Sequence, residues 1–181
     1  MAANPVRLMT VEEFSVLPES VGEYNYELHH GELVPVPRPK FKHYVLQSWL
    51  RDLLRRLAPP GSFVDIEMAF QAVPEYDLRV ADVAFLKAER FAKVDHESYI
   101  QGAPDLIIEI LSPSNTAREM YEKEQLCLAN GCREFWVFDP DKHYVRVAHA
   151  NGPTITYRPG ESILLKLFGD VALSVDDMFR Q

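Results

Sequence analysis

The chain has 181 residues, of which 47% are hydrophobic and 25% charged. These values are near the averages for soluble globular domains and exclude a disordered or membrane-embedded protein, while the length suits one domain over residues 1–181. The net charge of −8 disfavours tight non-specific DNA binding, which depends on Lys and Arg. With no apolar stretch near ~20 residues and no signal-peptide pattern, we expect a soluble, cytoplasmic protein without membrane contact.

Local signals predict alternating helices and strands. Capping boxes of the Ser/Thr-x-x-Glu form precede two helices, and short apolar runs interrupted by single acids are typical of buried strands. In chain order, the predicted elements are a helix after Thr10, a hairpin of residues 24–28 and 32–35, a helix over 41–57, strands 64–70, 80–86 and 105–111, a helix over 116–130, strands 134–138, 143–148 and 154–157, and a helix after Ser174. The strand–helix–strand crossover over 105–138 favours parallel pairing, so the order predicts an α/β sheet covered by helices.

Two acids, Asp82 and Glu109, lie inside predicted core strands. A buried carboxylate is costly unless it is paired, hydrogen-bonded or bound to a metal. Alternation along the strand places Glu109 on the same face as Asp105 and Ile107. Each acid could instead pair with a nearby arginine such as Arg79, or lie on a solvated edge. Spacing alone leaves both interpretations open.

Lys123 lies on the flank of the apolar face of the predicted helix over 116–130. A lysine in this position either reaches an acid on the sheet or extends along the helix surface toward water. Glu119, four residues earlier, offers a surface partner, and Glu124 lies nearer the middle of the apolar face. The helical pattern leaves the role of Lys123 open.

The cysteines and most histidines show no metal-ligand spacing. Cys127 and Cys132 are five residues apart without a second cysteine pair, so we expect packing roles and no disulfide. Surface or capping roles are expected for the histidines at positions 29, 30, 96, 143 and 149.

The order of several motifs resembles the Uma-two family of restriction endonucleases, a branch of the PD-(D/E)xK nucleases. The resemblance covers nearly the whole chain and is specific in combination. The motifs are Tyr26-Glu-Leu-His-His-Gly-Glu-Leu33, His43, Arg79-Val-Ala-Asp-Val83, Gly102-Ala-Pro-Asp-Leu-Ile-Ile-Glu-Ile-Leu-Ser-Pro-Ser114, Glu119 with Lys123, and Gly131-Cys-Arg-Glu-Phe-Trp-Val-Phe-Asp-Pro140.

The resemblance implies a restriction-endonuclease-like central mixed sheet flanked by helices, with extra antiparallel strands near the C-terminus. It also implies an endonuclease that hydrolyses phosphodiester bonds in DNA. Asp82 and Glu109 would coordinate Mg²⁺ or Mn²⁺, and a lysine would stabilise the attacking water or the developing charge. The parent motif has that lysine two residues after the second acid, where this chain has Leu111. Lys123 matches the family's relocation of the lysine to the following helix.

By the same resemblance, Glu27 and His43 would line the catalytic cleft. The chain departs from the family pattern at Ala81, where a proline is usual, and at Cys127, where an aromatic residue is common. Neither departure removes a metal ligand. Asp105 is assigned to strand initiation or a secondary role.

A rival hypothesis is a non-catalytic binding or assembly module that keeps the nuclease fold. The acidic net charge and the lack of a separate DNA-binding domain favour it, and divalent-cation binding would discriminate between the two. For either function we expect a homodimer, because a small domain that engages two DNA strands usually does so with two-fold symmetry.

Overall fold

A seven-stranded mixed sheet forms the centre of the structure, a computed structural model that describes residues 7–18, 20–21 and 24–180. Two further groups of strands adjoin it. The elements in chain order are α1 (Val11–Ser15), β1 (Ser20–Val21), β2 (Tyr24–His29), β3 (Glu32–Pro37), α2 (Phe41–Leu57), β4 (Phe63–Gln71), β5 (Arg79–Leu86), α3 (Ala88–Phe91), β6 (Ile100–Gln101), β7 (Leu106–Ile110), α4 (Ala117–Ala129), β8 (Glu134–Asp139), β9 (Tyr144–His149), β10 (Ile155–Tyr157), β11 (Ser162–Leu165), a 3₁₀ turn (Lys166–Phe168), β12 (Val171–Ser174) and α5 (Val175–Phe179).

The central sheet has the strand order β10-β9-β8-β7-β5-β4-β6. β7 and β8 are parallel and are joined through α4, as the crossover predicted. β5 pairs antiparallel with both β4 and β7, and β8, β9 and β10 form an antiparallel edge. β11 and β12 add another antiparallel pair near the C-terminus. The predicted α/β fold with a mixed central sheet is confirmed.

Helices cover the two faces of the sheet and form separate apolar cores. On one face, α2 packs through Leu50 and Leu54 against Ile108 of β7. On the other, Met120 and Cys127 of α4 pack with a second core. The cysteines at 127 and 132 are both buried and free. The Thr116 capping box forms as predicted and fixes the start of α4, so this helix holds its side chains at a defined height over the strands.

The hairpin of β2 and β3 is joined to the central sheet just before β5. Leu28 and Leu78 exchange backbone hydrogen bonds of 3.0 and 2.9 Å. This bridge brings the neighbouring Glu27 to the edge of β5. Within the described residues, none of the helices is long and apolar enough to cross a membrane.

Candidate active site

Three carboxylates stand in a row across three neighbouring strands. The β4–β5 register places Glu67 opposite Asp82. Continuing the β5–β7 register one step beyond Val83 and Ile108 places Asp82 opposite Glu109. The β4–β5 ladder skips the first of these pairs, and the β5–β7 ladder ends one step before the second. Adjacent strands lie about 4.8 Å apart, so the row concentrates negative charge where the strands separate.

Asp82 is held by one backbone group and by two side chains of α2. Its Oδ2 accepts a hydrogen bond of 2.7 Å from the backbone N–H of Ile110, which replaces the missing ladder bond. Its Oδ1 accepts from Gln47 Nε2 at 2.9 Å and lies 2.9 Å from His43 Nε2. Burial lowers the pKa of His43, but the hydrogen bond to Asp82 and the surrounding carboxylates outweigh burial and raise it. His43 therefore lines the site, as the resemblance implied.

Glu109 and Lys123 form a buried ion pair. Lys123 Nζ donates to Glu109 Oε2 and to the backbone oxygen of Val80, both at 2.7 Å. The alternative partner Glu119 is instead engaged in the Thr116 capping box. The structure thus places the Lys123 ammonium against the sheet rather than on the helix surface.

The buried charges shift each other's proton affinities. Burial raises the pKa of Glu109 to about 8, although Lys123 opposes this shift. Burial lowers the pKa of Lys123, but attraction by Glu109, Glu27 and Asp82 outweighs it and raises the value. The second oxygen of Glu109, Oε1, is buried and has no hydrogen-bond partner in the described structure. Glu109 is therefore a carboxylate whose charge is only partly compensated.

Glu27 reaches the same place from the hairpin. Its Oε1 accepts from the backbone N–H of Val80 at 3.1 Å, and its Oε2 lies 2.7 Å from His29 Nε2. Burial acts to raise the pKa of Glu27, but Lys123 and His29 outweigh burial, so the pKa lies below its ordinary value. Glu27 and Lys123 therefore bind the N–H and the C=O of the same β5 residue, Val80. His29, for which the sequence patterns predict a surface or capping role, is partly buried against Glu27.

The sequence patterns missed Glu67 and Gln47. Gln47 Nε2 donates to Glu67 Oε1 as well as to Asp82. Glu67 has a left-handed backbone with φ of 49° in the middle of β4. Partial burial and Asp82 raise the pKa of Glu67. A polar residue between Leu46 and Leu50 on the buried face of α2 was a signal that could have identified Gln47.

Two other polar residues of the motifs have structural partners instead. Asp105 Oδ2 accepts from the backbone N–H of Lys87 at 3.1 Å and lies 3.7 Å from Arg90. Arg79 donates to Asp77 at 2.9 Å, rather than pairing with either strand acid. The alternative in which Arg79 neutralises Asp82 or Glu109 is therefore not what the structure shows.

A cleft with a volume of about 890 Å³ is lined by the acids and cations described above, namely Glu27, His43, Glu67, Asp82, Glu109 and Lys123. The hairpin, the start of α2, the loop after β7 and the first turns of α4 form its walls. Carboxylate oxygens are the ligands that Mg²⁺ and Mn²⁺ prefer. Within the described part of the chain, no three His, Cys, Asp or Glu side chains form a preassembled metal cage. The oxygens of this cleft that could hold a cation include Glu109 Oε1, which has no hydrogen-bond partner, and those of Asp82, which accept hydrogen bonds from Ile110 and Gln47.

Comparison with known proteins gives results consistent with this architecture. No curated protein matches the chain. Among solved structures, the chain is similar to a crystal structure described as "a putative nuclease belonging to DUF820" from Anabaena variabilis ATCC 29413. The two share 25% identity and superpose with a TM-score of 0.79, covering 94% of this chain and 97% of the other. The family model named Uma2, described as "Putative restriction endonuclease", matches residues 11–176. The chain therefore belongs to the Uma2 family and has its nuclease-type fold.

Proposed function

We propose that the protein is a Mg²⁺- or Mn²⁺-dependent endonuclease that hydrolyses phosphodiester bonds in DNA, with Asp82 and Glu109 as metal ligands. One observation carries the proposal: Glu109 is buried beside Asp82 in the cleft with an oxygen that has no partner. Leaving a buried carboxylate oxygen unsatisfied is costly. A divalent cation would satisfy it and offset the charge of the row.

The protein groups around the cation position have complementary roles. When bound, the cation would activate a water molecule and offset charge on the phosphate. Lys123 is held by Glu109 and Val80 and would stabilise negative charge as it develops on the phosphate. Glu109 and then Glu27 raise the pKa of Lys123 against the effect of burial, and Glu27 also fixes the backbone at Val80. His43 orients Asp82.

The experiment that tests this proposal is a cleavage assay with single- and double-stranded DNA and RNA, with Mn²⁺ and with EDTA. We expect Mn²⁺-dependent cleavage of DNA. Cleavage that persists in EDTA, or cleavage restricted to RNA, would contradict the proposal.

The second candidate is a non-catalytic module with the same fold, which the net charge of −8 favours. Thermal denaturation with Mn²⁺ separates it from an enzyme. A working site should be stabilised by ~3 kcal/mol at a hundredfold excess of cation over its Kd, whereas a scaffold without the site should not respond.

We further propose that the protein acts as a homodimer, because two strands of DNA present the same chemistry in two-fold symmetry. Light scattering at micromolar concentration should then report twice the chain mass of 20.8 kDa. A species of monomer mass alone would contradict this assembly.

A further inference from the structure

The positive charge of this acidic chain is concentrated in one stretch. Residues 38–56, which cover the turn before α2 and nearly all of that helix, hold six of the 19 Lys and Arg residues and one of the 27 Asp and Glu residues. The rest of the chain carries twice as many acids as cations. Phosphate backbones bind local clusters of Lys and Arg, so this stretch is complementary to a nucleic acid in spite of the net charge of −8.

The cations of this stretch differ in how far they are neutralised. Near the end of α2, Arg51 and Arg55 form ion pairs of 2.8 and 2.9 Å with neighbouring aspartates. At the start of the helix, Lys42 Nζ lies 4.0 Å from Asp141, and both side chains are 77% exposed. That distance is too long for a hydrogen bond, and an exposed contact of this kind contributes little. The charge available to a ligand is therefore greatest at the start of α2.

The cations before and at the start of α2 lie beside the row of acids. Arg38, Lys40 and Lys42 line the same cleft. The chain reaches them through Pro35-Val-Pro-Arg-Pro-Lys40, in which every second residue is a proline. Proline fixes its own φ and restricts the residue before it, so this segment loses little conformational freedom when a ligand binds. The cations form a preorganised basic edge of the cleft.

Two exposed aromatic rings lie among these cations. Phe41 is 82% exposed between Lys40 and Lys42, and Tyr44 is 49% exposed on the same side of α2. Val45, 38% exposed, extends them into an apolar patch. Aromatic rings beside cations bind unpaired nucleotides, because every base has a planar face and every nucleotide has a phosphate. The bases of a duplex stack on each other and leave no such face for a ring.

The surface defined by these observations, called the α2 surface, comprises Arg38, Lys40, Phe41, Lys42 and Tyr44. We propose that it binds an unpaired stretch of DNA and leads it into the cleft. The cations contact the phosphates, and the two rings stack on bases. His43, in the same turn of α2, contacts Asp82, so a strand on this surface is adjacent to the row of acids. The inference rests on the proposed function for the choice of DNA, since the stacking chemistry would serve RNA as well.

The test is fluorescence anisotropy of the full chain with a short labelled oligo(dT), in EDTA so that cleavage does not occur. The wild type should bind this strand more tightly than the duplex with oligo(dA). Phe41→Ala and Phe41→Leu should both weaken binding by about five- to hundredfold, and Phe41→Trp should retain it. Tyr121→Ala is the matched control, since Tyr121 is an exposed aromatic residue of α4 outside the α2 surface. Leucine is apolar without a planar face, so wild-type binding by Phe41→Leu would overturn the proposal.

An abasic strand of the same length separates stacking from charge attraction. It keeps the phosphates and lacks the bases, so the wild type should bind it more weakly than oligo(dT), and Phe41→Ala should weaken it no further. Replacing both Lys40 and Lys42 by glutamine should weaken binding of both strands. The slope of log K against log salt concentration should then become shallower by about 0.7 for each cation removed. An unchanged slope would overturn the phosphate contacts.

Failure of this inference can be distinguished from failure of the proposed function. Binding of oligo(dT) through Phe41 by a protein that cleaves no nucleic acid would support the α2 surface while the nuclease proposal fails. Mn²⁺-dependent cleavage of duplex DNA that Phe41→Ala does not change, with no affinity for oligo(dT), would overturn the α2 surface and leave the nuclease site intact. A Phe41→Ala variant with half the mass of the wild type in light scattering would place the rings between copies of the chain and also overturn the proposal.

Discussion

Two groups of buried acids in this protein differ in how their charges are compensated. Asp105 and Glu124 are 7% and 3% exposed, and Glu109 is 6% exposed. Asp105 accepts a backbone N–H and faces Arg90, and Glu124 pairs with Arg146. Glu109, in contrast, shares its lysine with a backbone carbonyl and leaves one oxygen without a partner.

The difference shows that burial of an acid does not by itself mark a site. Buried charges that are paired and hydrogen-bonded have a structural explanation. A row of three carboxylates with few cationic side chains near it has no such structural explanation, because each ionised carboxylate makes ionisation of the next more costly. Glu67, Asp82 and Glu109 form such a row, and the missing charge is what a divalent cation would supply. The following predictions test this contrast.

The largest expected effect is on cleavage. Asp82→Asn and Glu109→Gln should lower the Mn²⁺-dependent cleavage rate on the order of 10³-fold or more, because each removes a charged ligand while preserving size. The melting temperature of Asp82→Asn in EDTA should not fall, since the change relieves repulsion in the row. Glu109→Gln also removes the counter-ion of the buried Lys123 ammonium, so its melting temperature does not test the row. Asp105→Asn is the control, and it should lower the melting temperature but leave the cleavage rate unchanged. Strong destabilisation of Asp82→Asn in EDTA would instead make Asp82 a member of a structural ion pair.

Lys123→Met should lower the cleavage rate by about 10²–10³ while Mn²⁺ affinity is retained. The methionine preserves the packing of the stem and removes the ammonium that faces Glu109. Kinetics should be measured together with a Mn²⁺ titration. Glu119→Gln is the matched control, because glutamine also completes a capping box and turnover should then be normal. A Lys123→Met variant with wild-type turnover would limit this lysine to a packing role.

The stability of the metal-free protein should fall as the pH rises from about 5 to 8. In the folded protein Glu109 has a pKa of about 8, against an ordinary 4.5. Between these values the folded state holds a proton that the unfolded state has released, so stability is full below the lower pKa and is lost toward the upper one. The raised pKa of His43 acts in the same direction. At about 1.4 kcal/mol for each unit of pKa shift, the loss is a few kcal/mol.

Urea unfolding in EDTA at pH 5 and pH 8 measures this loss directly. Glu109→Gln cannot ionise at this position, so its free energy of unfolding should change much less between the two pH values. Parallel pH profiles for the wild type and the variant would show that Glu109 has an ordinary pKa. The contrast between Glu109 and the paired acids Asp105 and Glu124 would then have no electrostatic basis.

The sequence predicted most of the fold and two members of the row. Asp82 and Glu109 interrupt apolar runs, and such interruptions are visible without any knowledge of tertiary contacts. The crossover strands, the long helix α2 and the Thr116 cap follow from periodicity and local capping chemistry in the same way. The short strands β1, β6, β11 and β12 and the helix α3 have too few residues to produce a periodic signal.

The remaining site residues depend on information that local patterns do not contain. The helical pattern did not determine whether Lys123 contacts the sheet or lies on the helix surface. Only the position of α4 relative to β7 shows that its ammonium contacts Glu109. The resemblance to the nuclease family supplied that residue, and Glu27, in advance. Alternation along the strand 64–70 predicts only that Glu67 lies on its polar face. Its place in the row follows from the β4–β5 register and from a left-handed backbone that glutamate rarely adopts.

The smallest expected effect isolates the backbone of Glu67. Glu67→Gly and Glu67→Ala remove the same carboxylate, but only alanine keeps a Cβ in the left-handed region. Glycine should therefore be the more stable variant by about 1 kcal/mol, which corresponds to roughly 2–4 °C in Tm for a domain of this size.

Asp65 on the same strand is the control, because its backbone is not in the left-handed region. At Asp65 the order should reverse, since glycine in a strand costs about 0.5–1 kcal/mol relative to alanine. Thermal denaturation of the four variants in EDTA gives both differences. If alanine is the more stable residue at both positions, the strand is unstrained at Glu67, and the contrast between the row and the paired acids is purely electrostatic.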